Sequence, residues 1–92
     1  MVQLLAIQIV PTGTEESQIT AVRWYNPEDG QINVATTDVM IHFLSQQGGL
    51  AYIYNGRDRA DVTVAPGARP YLTTRPTPFP QTQVSLLNLP RF

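Results

Sequence analysis

Asp38, His42 and Ser45 stand at i, i+4 and i+7, an acid, an imidazole and a hydroxyl in the order a nucleophilic triad would use. His42 is the chain's sole histidine, and so the one side chain whose unperturbed charge change falls near neutral pH. On a helix the three would lie in file along one face. A triad also needs an oxyanion hole and a sheltered pocket, and three residues in a row on a polar helix face supply neither. The spacing reads instead as an aspartate placed at the positive end of a helix, with two polar surface residues behind it. A small hydrolase built on His42 is therefore the last of three functional readings, and no catalytic residue is expected.

The rest of the toolkit is thin. The chain has no Cys and all six of its basic residues are Arg. Disulfides, thiolate nucleophiles, Cys-based metal sites, Schiff-base chemistry and the phosphate-cradling lysine are thereby excluded. Glu15, Glu16, Glu28 and Asp29 are scattered without ligand spacing, and Glu28-Asp29 reads as turn chemistry. Neither a metal nor a cofactor is expected.

A second constellation joins Arg23, Trp24 and Tyr25 with Tyr52, Tyr54, Arg57 and Arg59. Aromatics that stack bases and guanidinium groups that meet phosphates make a surface for single-stranded nucleic acid. Against it, the net charge is -1, and Asp58 and Asp61 sit beside the arginines. With no excess positive field, nucleic acid is an unlikely partner. Aromatics in short strands are more often core residues and cross-strand neighbours.

The elements that must carry these residues are short. At 92 residues the chain has room for one domain, which buries roughly 60 to 70% of its unfolded surface. Hydrophobic residues make up 42% and charged residues 14%, against about 25% charged in a typical domain. Thr, Gln, Asn and Ser must cover most of the surface. Thr36 to Gly49 is the one convincing helix. Thr36 or Thr37 caps it, Asp38 suits its N-terminus, and Gly48 supplies the left-handed residue that ends it. At 100° per residue Val39, Met40, Phe43 and Leu44 share an apolar face, and Ile41 falls outside it.

The remainder reads as strands and turns. Val2 to Val10 is apolar on both faces, which suits a strand buried on two sides or a paired edge strand. Gln18 to Asn26 and Gln31 to Thr36 flank Asn26-Pro27-Glu28-Asp29-Gly30, a hairpin turn, with Val22 and Trp24 directed inward. Leu50 to Asn55 and Ala60 to Ala65 flank a turn opened by Asn55-Gly56, a second hairpin signal. Tyr71 to Thr74 makes a last strand. Pro76, Pro78 and Pro80 impose an extended strap on residues 75–92, with Phe79 packed down on the sheet. The expected architecture is α+β, an antiparallel sheet of five or six strands in the order β-β-β-α-β-β-β with one helix on a face. Ile7, Ile9, Ile19, Val22, Trp24, Val34, Val39, Phe43, Leu44, Tyr52, Val62, Val64 and Leu72 are the expected core.

Ile19-Thr20-Ala21-Val22-Arg23, the capped helix, Tyr71-Leu72-Thr73-Thr74, a Pro-containing connector and the Leu86-Leu87-Asn88-Leu89-Pro90 ending together resemble a family of small, mostly bacterial proteins classed as a domain of unknown function. The resemblance covers residues 19–92. In the family a basic residue follows the Tyr-Leu pair and Asp-Asn precedes the final leucines, where this chain has Thr73 and Val84-Ser85. The N-terminal strand and the Pro-Thr-Pro-Phe-Pro insert also lie outside the pattern. The resemblance implies a compact α+β module and brings no activity or site residue with it.

The two apolar ends carry the interaction hypothesis. Val2, Leu4, Ile7 and Ile9 on the first strand, Ile41 on the helix, and Leu86, Leu87, Leu89 and Phe92 at the C-terminal end are too apolar to stay solvated. They complete the core within one chain, or an apolar strand at a sheet edge templates a partner strand. The expectation is a non-enzymatic interaction or structural module, with a protein partner or self-association into a homo-oligomer. Met1 to Val10 lacks the basic region and cleavage pattern of a signal peptide, and no apolar run reaches the roughly 20 residues of a membrane span, which favours a cytoplasmic location.

Overall fold

A computed structural model describes residues 1–54, 56, 59–75 and 85–92. The strap prolines Pro76, Pro78 and Pro80, with Phe79, and the turn residues Asn55, Arg57 and Asp58 lie outside the described residues. The elements follow the expected order. Strands β1 (Val2–Ile9), β2 (Ile19–Asn26) and β3 (Gln31–Thr36) precede helix α1 (Thr37–Ser45), and β4 (Ala51–Tyr54), β5 (Arg59–Ala65) and β6 (Tyr71–Thr74) follow it. Short 3-10 turns at Glu16–Gln18 and Leu86–Asn88 precede β2 and close the chain.

The six strands form one sheet in the order β3-β2-β1-β4-β5-β6. It is mixed, where an antiparallel sheet was expected. β1 runs parallel to β4 through Val2↔Ala51 and Gln3↔Tyr52, and every other strand pair is antiparallel. The cause is the helix. The connections β1–β2, β2–β3, β4–β5 and β5–β6 each reverse the chain locally, but α1 carries it from β3 at one edge across a face to β4 beside β1, and such a crossover permits a parallel neighbour.

Two irregularities in the β1–β2 pairing decide what the core contains. The register slips between Leu4 and Ala6 and again between Gln8 and Ile9, where Ile19 takes up the pairing. Each slip resets the alternation of faces. Leu4, Ile7 and Ile9 on β1 therefore share one face with Ile19, Val22 and Trp24 on β2, although the odd spacings of Leu4 to Ile7 and of Ile19 to Val22 forbid this in regular strands. Met40 of α1 joins that face, together with Ile53, Val62 and Leu72 from the other half of the sheet.

The helix is capped as expected. Thr36 accepts from the Val39 amide through its hydroxyl, whereas the Thr37 hydroxyl turns inward to donate to the Ile19 carbonyl at 2.8 Å. Gly48 in the left-handed region at φ +67° and the 2.9 Å bond from the Gly49 amide to the Phe43 carbonyl close the C-terminus. The helix itself stops at Ser45, short of the expected Gly49. Its apolar stripe is rotated from the expected one. Met40 is buried, Ile41, Phe43 and Leu44 pack against the core, and Val39 is 58% exposed. α1 rests on β2 and β3 on one side and on β5 and β6 on the other, so its contact arc reaches round to Ile41 and leaves Val39 over open space.

Among the expected core residues, Ile7, Ile19, Val22, Val62 and Leu72 are buried, while Ile9, Trp24, Phe43 and Leu44 are half-buried against the core. Tyr52 and Val64 are half-buried. Val34, like Val39, is a correction: at 56% exposed it lies opposite Arg23, on the outer side of the sheet. In its place the core holds Leu4, Ile53 and Leu86, with Ala6, Ala21, Ala51 and Ala60 as close-packed small residues.

Candidate interaction surface

β3 pairs with β2 over six residues in unbroken register, from Ala21↔Thr36 to Asn26↔Gln31, and is the last strand of the sheet on that side. Gln31, Ile32, Asn33 and Val34 are all exposed. The strand carries no charge, no proline and no bulge, the usual devices by which an edge strand avoids adding another. The turn before it is well made. The Asn26 side chain accepts from the Glu28 amide, that of Asp29 accepts from the Gln31 amide, and Gly30 sits at φ +74°. These bonds hold the strand in place, and among the described residues no segment pairs with its outer edge.

Ile32 and Val34 project from the outer face, opposite Tyr25 and Arg23. On the inner side a groove of about 610 Å³ runs between β3 and α1, lined by Trp24, Asn33, Val34, Val39, Met40 and Phe43 among others. Its walls are mainly apolar. His42 lines it too, as an exposed residue.

The triad-like residues lie along the helix as their spacing implies. Asp38 and His42 are exposed, and Ser45 donates its hydroxyl to the Ile41 carbonyl one turn back at 2.7 Å. Among the described residues no group of three His, Asp or Glu side chains is placed to hold a metal. The arginine and aromatic residues divide. The strand registers put Arg23, Tyr25, Tyr52, Tyr54 and Arg59 on the outer face and turn Trp24 inward, while Arg57 lies outside the described residues. Both arginines already cover rings of the chain itself. Arg59 lies 4.1 Å from the centroid of Tyr52 and Arg23 lies 4.7 Å from that of Phe92.

No family model, curated protein or solved structure matches the chain.

The apolar ends meet inside the chain. β1 is an interior strand, with Val2, Leu4 and Ile7 buried and Ile9 half-buried. Its far edge is shared. β4 takes Val2 and Gln3, and farther along, Ile7 donates to the Pro90 carbonyl at 2.9 Å while the Phe92 amide donates to the Ile7 carbonyl at 3.1 Å. Leu86 is fully buried, Leu89 packs on the core, Leu87 is half-buried and Phe92 is 37% exposed. Ile41 is also drawn into the core. β1 thus has no open edge at those residues, and the edge strand on that side of the sheet is β3. The Ile32–Val34 alternation was legible as a strand, but its place at the edge depends on the crossover that inserts β4 beside β1.

Among the described residues no helix is long and apolar enough to cross a membrane.

Proposed function

We propose that this chain is a non-enzymatic protein-interaction module that offers the β3 edge as a template for an added strand. The observation that carries the reading is an uncharged, unbulged edge strand with Ile32 and Val34 exposed beside each other on its outer face. Strand addition draws affinity from main-chain hydrogen bonds and specificity from pockets for alternate side chains. The groove between β3 and α1, beside Asn33 and Val39, gives such pockets to the inner side chains of an added strand. Affinity isolation with the wild-type chain and with Ile32→Lys/Val34→Lys tests the reading. A polypeptide, the chain itself included, should be held by the first bait, be lost with the second and bind directly when purified. Identical sets from both baits would overturn it.

A second reading, weak binding of single-stranded nucleic acid, draws on the outer-face set of Arg23, Tyr25, Tyr52, Tyr54 and Arg59. Tyr54, 49% exposed and opposite Arg59, is its most available stacking platform. The net charge of -1 and the capping of Tyr52 by Arg59 place this reading second. Titration of a labelled oligonucleotide at low salt, with Tyr54→Ala as control, distinguishes the two.

A further inference from the structure

We infer that the strand added at β3 is β3 of a second copy, in a two-fold antiparallel pairing that sets Asn33 opposite the partner's Asn33. The inference rests on the edge reading above and names its partner.

The two edges of the sheet are unlike. β6, at the far side, is closely approached by the 3-10 turn Glu16–Gln18, and the Thr73 hydroxyl donates to the Glu16 carboxylate at 3.0 Å. Head-to-tail growth would need β6 to accept β3, and this turn stands against it. β3 meeting β3 closes after two chains, as a symmetric interface does. The strand is also self-complementary. A charged edge would set like charges against each other at a two-fold axis, but Gln31, Ile32, Asn33, Val34, Ala35 and Thr36 are all neutral. An Asn side chain both donates and accepts, so two of them across an axis satisfy each other.

The register follows from the faces. Antiparallel neighbours share a sheet face residue by residue, and a two-fold axis through β3 must preserve this. Registers that set Ile32 opposite Asn33 or Ala35 are therefore excluded. Among the remaining ones, centring on Ile32 sets Val34 against Gly30, and centring on Val34 sets Ile32 against Thr36. Centring on Asn33 sets each Ile32 against the partner's Val34. Only this arrangement gives both exposed apolar residues an apolar neighbour across the new strand pair.

Light scattering on the full chain, from micromolar to near-millimolar concentration, should approach twice the 10.2 kDa chain mass. Ile32→Lys/Val34→Lys, whose circular dichroism should match wild type, should stay at the single mass throughout. The chain lacks cysteine, so single substitutions read the register directly. Under mild oxidation Asn33→Cys should give a disulfide-linked dimer within the time that Ile32→Cys and Val34→Cys leave mostly monomer. Cross-linking at Ile32→Cys or Val34→Cys in its place overturns the register. A wild-type chain that stays monomeric at every concentration overturns self-pairing. If that monomer still binds another protein and loses it on Ile32→Lys/Val34→Lys, the edge reading stands and only the identity of the partner fails.

Discussion

Gly49 is held by a single neighbour, the Phe43 ring. A Cβ at this position would fall inside contact distance of that ring, because the chain after Gly48 turns back so that the Gly49 amide bonds the Phe43 carbonyl. Gly49→Ala should destabilise by about 1–3 kcal/mol, as overpacking does. Pairing it with Phe43→Leu should recover part of that loss in a double-mutant cycle read by urea midpoints. Gly48, with open space around it, has a different problem. Its positive φ alone should make Gly48→Ala cost about 1 kcal/mol. At the other end of the helix, Thr36→Ala removes the hydroxyl that caps Val39 and should cost about 0.5–2 kcal/mol by thermal or urea unfolding. His42→Ala, at an exposed site, should stay within about 0.5 kcal/mol of wild type.

At the scale of elements, the limits of sequence reading have identifiable causes. Strand order along the chain, a helix cap at Thr36 or Thr37 and its glycine stop were all legible, because turn residues and caps act within a few positions. The face of each strand was not. Leu4 and Ile7, or Ile19 and Val22, share a face only because the β1–β2 register slips twice, and nothing in VQLLAIQIV marks where a slip will fall. Ile41 was misplaced for a related reason. A wheel assumes one flat neighbour, whereas α1 meets β2 and β3 on one flank and β5 and β6 on the other. The edge position of β3 was missed because edge status belongs to the sheet, and it is set by where β4 pairs. Substituting Ile53, buried on β4 beneath the helix, by Ala should cost about 2–5 kcal/mol. The exposed Ile32→Ala should cost little in the isolated chain.

For the whole molecule, β1 is where segments remote in sequence converge. Besides β2, its backbone bonds run to Leu50 just ahead of β4 and to Pro90 and Phe92 beyond the last 3-10 turn. The sequential antiparallel pairs assemble from neighbouring residues, but this junction has to bring Val2 to Ala51 and Ile7 to Arg91. Contacts so distant in sequence slow folding, because loop closure comes before the burial that rewards it. The terminal clamp should therefore form late, after the transition state. Leu86→Ala, which empties its fully buried seat, should leave the refolding arm of a chevron nearly unchanged and speed unfolding by most of its stability loss. The resistance of this protein to proteolysis or heat over time is then governed by how tightly a few C-terminal residues hold its first strand.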